Sequence, residues 1–287
     1  MDKKTIIYIM SDVRSGSTLL ENILSKSKEV ISVGELYHLD SHLNKGKWGV
    51  TWGWRCSCGK EFQECGFWEN IFHYLKEKGT SEISRTEVLK RTSFFRTKAH
   101  PLKNRVNTDT VNLINEIYTA IFNIYDCNII VDSSKDESQL LALYENTEFD
   151  LKVIYLRRDI RAVTISKYKW ALKFGKKRLN RYKVLIFSML KNLRQRYVLK
   201  KIDKNNKVFI RYEDLARDTQ NVLNKITLDL QMEQMVAPIF MELREDHTVA
   251  GTPNRFQKRK IQYDDSWEKE SKKDVLFHFL GSLLDKL

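Results

Sequence analysis

Short apolar runs alternate with helical segments along this chain, and that alternation limits the fold more than any other feature. Thr5–Met10 is a β-rich run, and Leu19, Leu20, Ile23 and Leu24 then recur at helical spacing. Val30–Val33 is a second short run. A helix near Thr108–Tyr125 precedes strand Asn128–Val131, and helix Glu137–Asn146 leads to strand Leu151–Leu156. A long basic amphipathic helix over about Arg178–Lys201 precedes strand Lys207–Ile210, and helix follows to about Leu230. Buried strands separated by helices predict an α/β fold, a three-layer arrangement with a central parallel sheet flanked by helices. Ligands of such sheets bind at the carboxyl ends of the strands, where the polar clusters of this chain fall.

Size and composition fit one domain over residues 1–287, with about 38–107 expected to be an inserted cap or substrate region rich in Trp and Cys. Only 11 Gly and 3 Pro occur, which argues against long linkers. The net charge of +13 favours a polyanionic partner: a phosphorylated cofactor, a nucleic acid or an acidic membrane surface. Thr5–Ser11 is too short for a signal segment, and no stretch approaches the ~20 apolar residues of a membrane span, so a cytoplasmic protein is expected. Cys56, Cys58 and Cys65 lie close together but match neither paired zinc ligands nor a multi-disulfide framework. Packing or a local disulfide is the default for them, and no metal site is expected.

Ser11–Leu19 joins the first strand to a helix, where backbone N–H groups and a helix N-terminus can cradle an anion. Gly16 would let the backbone approach a phosphate, Ser15, Ser17 and Thr18 offer hydroxyl groups, and Arg14 adds a permanent charge. Gly-Lys-Ser/Thr occurs nowhere, so an ATP or GTP phosphate loop is not encoded. A plain capped helix start with Arg14 exposed remains the alternative.

The segment RSGSTLL, Arg14–Leu20, resembles the 5′-phosphosulfate loop of sulfotransferases that use 3′-phosphoadenosine-5′-phosphosulfate (PAPS). It is closer to the Arg-containing version of tyrosylprotein and many bacterial members than to the aryl and steroid enzymes, which usually carry Lys at the place of Arg14. The resemblance implies that Arg14, Ser15, Gly16, Ser17, Thr18 and Leu19 bind the cofactor. A second match is YLRRDIRAVTISKYKW. Arg158 and, eight residues on, Ser166 hold the spacing of the family's 3′-phosphate motif. Arg157, Arg158 and Arg161 oppose the helix macrodipole there, which suggests an anion, although Arg157 fits a surface position equally well. Third, HTVAGTPNRF, His247–Phe256, resembles a late family segment in which Arg255 would close over the 3′-phosphate. Asp132-Ser133-Ser134-Lys135 and Arg211–Leu215 are further family signposts, the second mainly structural. The Cys segment recurs in bacterial members without implying a chemistry.

The resemblance implies in-line sulfuryl transfer from PAPS to an acceptor hydroxyl or amine, releasing 3′,5′-ADP. Arg14 and Lys135 would stabilise charge on the bridging oxygen. Glu35 matches the Gly-Glu catalytic segment of tyrosylprotein sulfotransferases and is the candidate general base, with His38 its rival. No metal is required. A P-loop kinase lacks its Lys-Ser/Thr pair here, and no nucleic-acid motif supports a nucleic-acid-binding module, so no nucleic acid is expected as partner. The acceptor stays open among small molecules, carbohydrates and lipids. Trp48, Trp52 and Trp54 could line its pocket or belong to a core.

Overall fold

Five strands carry the apolar runs: β1 (Thr5–Ser11), β2 (Val30–Gly34), β3 (Ile129–Asp132), β4 (Asp150–Arg157) and β5 (Lys207–Arg211). In a computed structural model they form one parallel sheet in the order β2-β3-β1-β4-β5, flanked by helices, so the chain is α/β. The residues described are 4–43, 55–61, 64–79, 108–173, 180–238, 246–252 and 261–286. Each strand extends one residue past the expected end, to a residue that is polar in all but β2.

The helices are α1 (Ser17–Leu24), the short α2 (Leu39–Leu43), α3 (Gly66–Glu77), α4 (Thr108–Ile124), α5 (Glu137–Asn146), α6 (Ile160–Lys173) and α7 (Arg181–Leu199). After β5 come α8 (Tyr212–Arg217), α9 (Thr219–Asp229), α10 (Ser266–Lys272) and α11 (Val275–Asp285). The basic helix thus starts later than its charge pattern suggested, at the Asn180 cap, whose side chain accepts from Tyr182 and Lys183 N–H. The single helix expected after β5 is two. Asp218 breaks it with a non-helical backbone and accepts from Asn221 N–H, capping the second.

The chain divides into two compact units. The first comprises Met1–Ile9, Thr18–Val153 and Pro238–Lys260. Its sheet core is continuous: Ile6, Ile7 and Ile9 of β1, Leu20, Ile23 and Leu24 of α1, and Ile130 and Val131 of β3 are all at most 1% exposed. β3 is the shared partner, pairing Ile6 with Ile130 on one side and Ile31 with Ile130 on the other. β2 and β3 shift register between Ser32 and Gly34, so Gly34 meets Asp132 at the strand ends.

The second unit comprises Met10–Ser17, Ile154–Ala237 and Ile261–Leu287. Ile160, Ala162 and Ile165 of α6, Leu185 of α7, Trp267 of α10 and Phe277 of α11 form its helical core. Their near-helical spacing within α6 puts the apolar side of an otherwise polar helix against its neighbours. Among the described residues, no helix is long and apolar enough to cross a membrane.

Candidate active site

The loop after β1 is built from its own side chains. Asp12 accepts from Val13 N–H at 2.7 Å and pairs with Lys167 Nζ of α6 at 2.5 Å. Lys167 in turn donates to Ser188 of α7. Gln195 Nε2 donates to Ser11 O at 2.7 Å, closing the end of the strand. On this frame Arg14 takes φ +70° and Gly16 φ +94°. The first is uncommon for a residue with a side chain, and the second is a conformation glycine adopts without penalty. The space a Cβ at Gly16 would fill is already held by the Tyr212 ring, whose nearest carbon would stand 2.4 Å from it. Gly16 was expected to admit a phosphate; within this unit its immediate neighbour is an aromatic ring. Ser15, Ser17, Thr18 and Leu19 are all buried.

The structure brings Arg14, Arg158 and Ser166 together. Arg14 Nε donates to Ser166 Oγ at 2.9 Å, and Arg158 Nη1 donates to Arg14 O at 3.3 Å. Arg14 also lies over the Trp170 ring and Arg158 over the Tyr212 ring, at 5.1 and 4.4 Å. Burial, and then the repulsion of Arg158, lower the Arg14 pKa from its ordinary value. Arg158 Nε is buried without a hydrogen-bond partner among the described residues, and Arg158 Nη2 stands 3.6 Å from Asp264 Oδ2. Two guanidinium groups held this close in a partly buried place form a site suited to an anion. The expectation had assigned Arg14 and Ser166 to opposite ends of one nucleotide. Their hydrogen bond joins them in a single cluster.

The other arginines at the start of α6 differ. Arg157 is 5% exposed and donates to Asp285 O at 2.9 Å, so it is not a surface residue. Arg161 is held by Asp159 at 2.6 Å. Of the three cations at this helix start, Arg157 and Arg161 thus have partners in Asp285 and Asp159, although Arg157 Nε, like Arg158 Nε, has no hydrogen-bond partner among the described residues. Glu213 accepts from Asp159 N–H and Arg211, in keeping with a structural role for that segment.

In the first unit, Glu35 and Lys135 leave the neighbouring ends of β2 and β3, and Lys135 Nζ meets Glu35 Oε1 at 2.5 Å. His38 Nε2 is 3.5 Å from the other carboxylate oxygen, so the two rival bases stand side by side. Lys135, like Arg14, has positive φ, +61°. Strained backbone at these two cations is the kind of feature that accumulates at functional positions. Below the pair, Ser133 Oγ donates to Glu21 Oε2 at 2.5 Å. Burial pushes the Glu21 carboxyl up to about 7 and Asp132 up to about 6, despite the hydrogen bonds that Asp132 accepts from Ser134 and Tyr118.

Glu35 is fixed from behind by the segment His247–Val249. Val249 N–H donates to Val33 O, and Glu35 N–H donates to Val249 O at 2.8 Å. A Cβ at Gly34 would stand 2.3 Å from Val249 O, so this pairing needs glycine there. The segment also brings His247 against Cys56 and Cys65, a meeting that sequence spacing did not announce because 182 residues separate His247 from Cys65. Arg255, Trp48, Trp52 and Trp54 lie outside the described residues.

Comparison with solved structures finds the same fold. The sulfotransferase domain of the Synechococcus PCC 7002 olefin synthase has a TM-score of 0.56 at 18% identity, over 99% of this chain and 94% of that one. The sulfotransferase domain of the curacin biosynthetic pathway has a TM-score of 0.52 at 19% identity, over 95% and 92%. Comparison with curated proteins finds no match. A family model described as the Sulfotransferase family matches residues 7–235, well over half of the 287 residues, and runs from β1 past α9. On that match the chain belongs to the sulfotransferase family, a family of transferase enzymes.

Proposed function

We propose that this protein transfers the sulfuryl group of PAPS to an acceptor hydroxyl or amine and releases 3′,5′-ADP. The observation that carries the reading is the cluster of Arg14, Arg158 and Ser166 beside the β1 loop, two cations and a hydroxyl joined by hydrogen bonds, with one carboxylate, Asp264, at 3.6 Å from Arg158. In this reading the loop amides with Arg14, Ser15, Gly16, Ser17, Thr18 and Leu19 bind the 5′-phosphosulfate, while Arg158, Ser166 and Arg255 bind the 3′-phosphate. Ser166 Oγ accepts from Arg14 Nε, so its own hydroxyl proton can be donated to a phosphate oxygen while the Nη groups of Arg14 face the other phosphate in this reading.

The bond from the acceptor oxygen or nitrogen to sulfur forms as the bond from sulfur to the bridging oxygen breaks. Charge moves onto the 5′-phosphate of the leaving nucleotide, where a fixed cation lowers the barrier more than mobile water does. Glu35 takes the acceptor proton. Its ion pair with Lys135 holds the carboxylate in one orientation.

The test is Glu35→Gln. Turnover with labelled PAPS and a panel of phenolic, sugar and lipid acceptors should fall by about 10²–10⁴-fold. Affinity for 3′,5′-ADP by titration calorimetry should stay within about twofold, and ATP with Mg²⁺ should bind far more weakly than 3′,5′-ADP. Normal turnover in the variant removes Glu35 from the mechanism. A preference for ATP removes PAPS.

A further inference from the structure

We propose that Cys56, Cys58, Cys65 and His247 hold one zinc ion, as a closed structural site built on the cap segment of the first unit. The four ligand atoms all lie within 4.8 Å of one another. Zinc bonds of about 2.3 Å to sulfur and about 2.0–2.1 Å to imidazole nitrogen set the edges of a tetrahedron at about 3.8 Å between sulfurs and about 3.6 Å between sulfur and nitrogen. Four of the six edges are 3.5 Å for Cys56–Cys65, 3.8 Å for Cys58–Cys65, 3.7 Å for Cys56–His247 Nδ1 and 3.2 Å for Cys65–His247 Nδ1, and the other two, from Cys58, are within 4.8 Å. Sulfurs joined in a disulfide stand about 2.0 Å apart, and all three of these cysteines are free. Three thiolates and one imidazole suit zinc better than the hard cations, and four protein ligands leave no open position for catalysis.

The surroundings are those of a metal knot. Cys65 caps α3, where the helix dipole favours a thiolate. Cys56 N–H donates to Lys60 O and Gly59 N–H to Cys56 O, folding the first two ligands into one tight turn. Ser57 Oγ, between them, donates to Asp246 O and accepts from Thr248 N–H, flanking His247 on both sides. The His247 ring stacks on Phe67 at 4.8 Å, and Trp68 Nε1 donates to His247 O at 2.9 Å. The ion would thus tie the cysteine turn and α3 to the segment whose next residues pair with Val33 and Glu35. Its role is to position, and it stands whether or not PAPS is the donor.

Elemental analysis of the full chain purified without chelator should give about one zinc per chain. Cys127→Ser, which changes the buried cysteine outside the cluster, should keep that zinc. Cys65→Ser and His247→Ala should lose it, and His247→Cys should restore it as a four-thiolate site. Because some variants could fail to fold, the unaltered protein supplies a second readout. Chain produced with Co²⁺ in place of zinc should show thiolate-to-cobalt charge transfer and the visible bands of a tetrahedral ion, and release of each metal by a mercurial should consume three equivalents of it, one per ligand thiolate. Metal-free protein with all three cysteines rapidly alkylated in the native state would overturn the proposal, as would a Cys58–Cys65 disulfide found by mass spectrometry.

Discussion

Replacing Gly16 with alanine tests the architecture of the β1 loop. Two costs can be read from the structure. The backbone there has φ +94°, a conformation that penalises a Cβ by about 1–2 kcal/mol. The new methyl would also stand 2.4 Å from one Tyr212 ring carbon and 2.9 Å from a second. Tyr212 is only 8% exposed, and the Arg158 guanidinium lies 4.4 Å above its ring, so the ring cannot step aside freely. Forcing a methyl into such packing adds about 1–3 kcal/mol, for a total of about 2–5 kcal/mol. Urea unfolding followed by tryptophan fluorescence would measure it, and a cycle with Tyr212→Ala would divide it. In the Tyr212→Ala background the packing share of about 1–3 kcal/mol should vanish while the backbone share persists. A Gly16→Ala protein within about 0.5 kcal/mol of the parent refutes the reasoning outright. A cost unchanged by Tyr212→Ala refutes the packing half of it.

Two further outcomes follow from the buried charges. Glu21 holds its proton to about pH 7 in the folded protein and only to about 4.5 in a free chain, so the folded state binds the extra proton between these values and stability falls as pH rises through that window. Glu21→Gln should remove on the order of 3 kcal/mol of this pH dependence in urea titrations at pH 4.5 and 8, and an unchanged slope would show that Glu21 titrates normally. Arg157→Ala should cost about 3 kcal/mol of stability by stripping a buried cation from Asp285 and leave 3′,5′-ADP binding unchanged, whereas Arg158→Ala should weaken 3′,5′-ADP binding about 10–100-fold. Equal effects of the two substitutions on nucleotide affinity would erase the distinction drawn between them.

That distinction marks the boundary of what the sequence carries. Apolar runs and helical spacing determined the α/β class and the position of each strand to within a residue, because burial against a sheet acts on residues a few places apart. The placement of Arg14, Glu35, Lys135 and Arg158 just after strands was likewise legible, with Ser166 two turns into the helix that follows β4. Charge pattern alone could not say which of Arg157, Arg158 and Arg161 was already neutralised. Asp285, which takes Arg157, comes 128 residues later, and only folding brings it there. The same holds for the Tyr212 ring against Gly16 and for His247 beside Cys56, Cys58 and Cys65. Local sequence encodes backbone conformation and burial, which are short-range properties. The partner that neutralises a charge, fills the space beside a glycine or completes a tetrahedron comes from a distant segment, and the tertiary structure alone decides it.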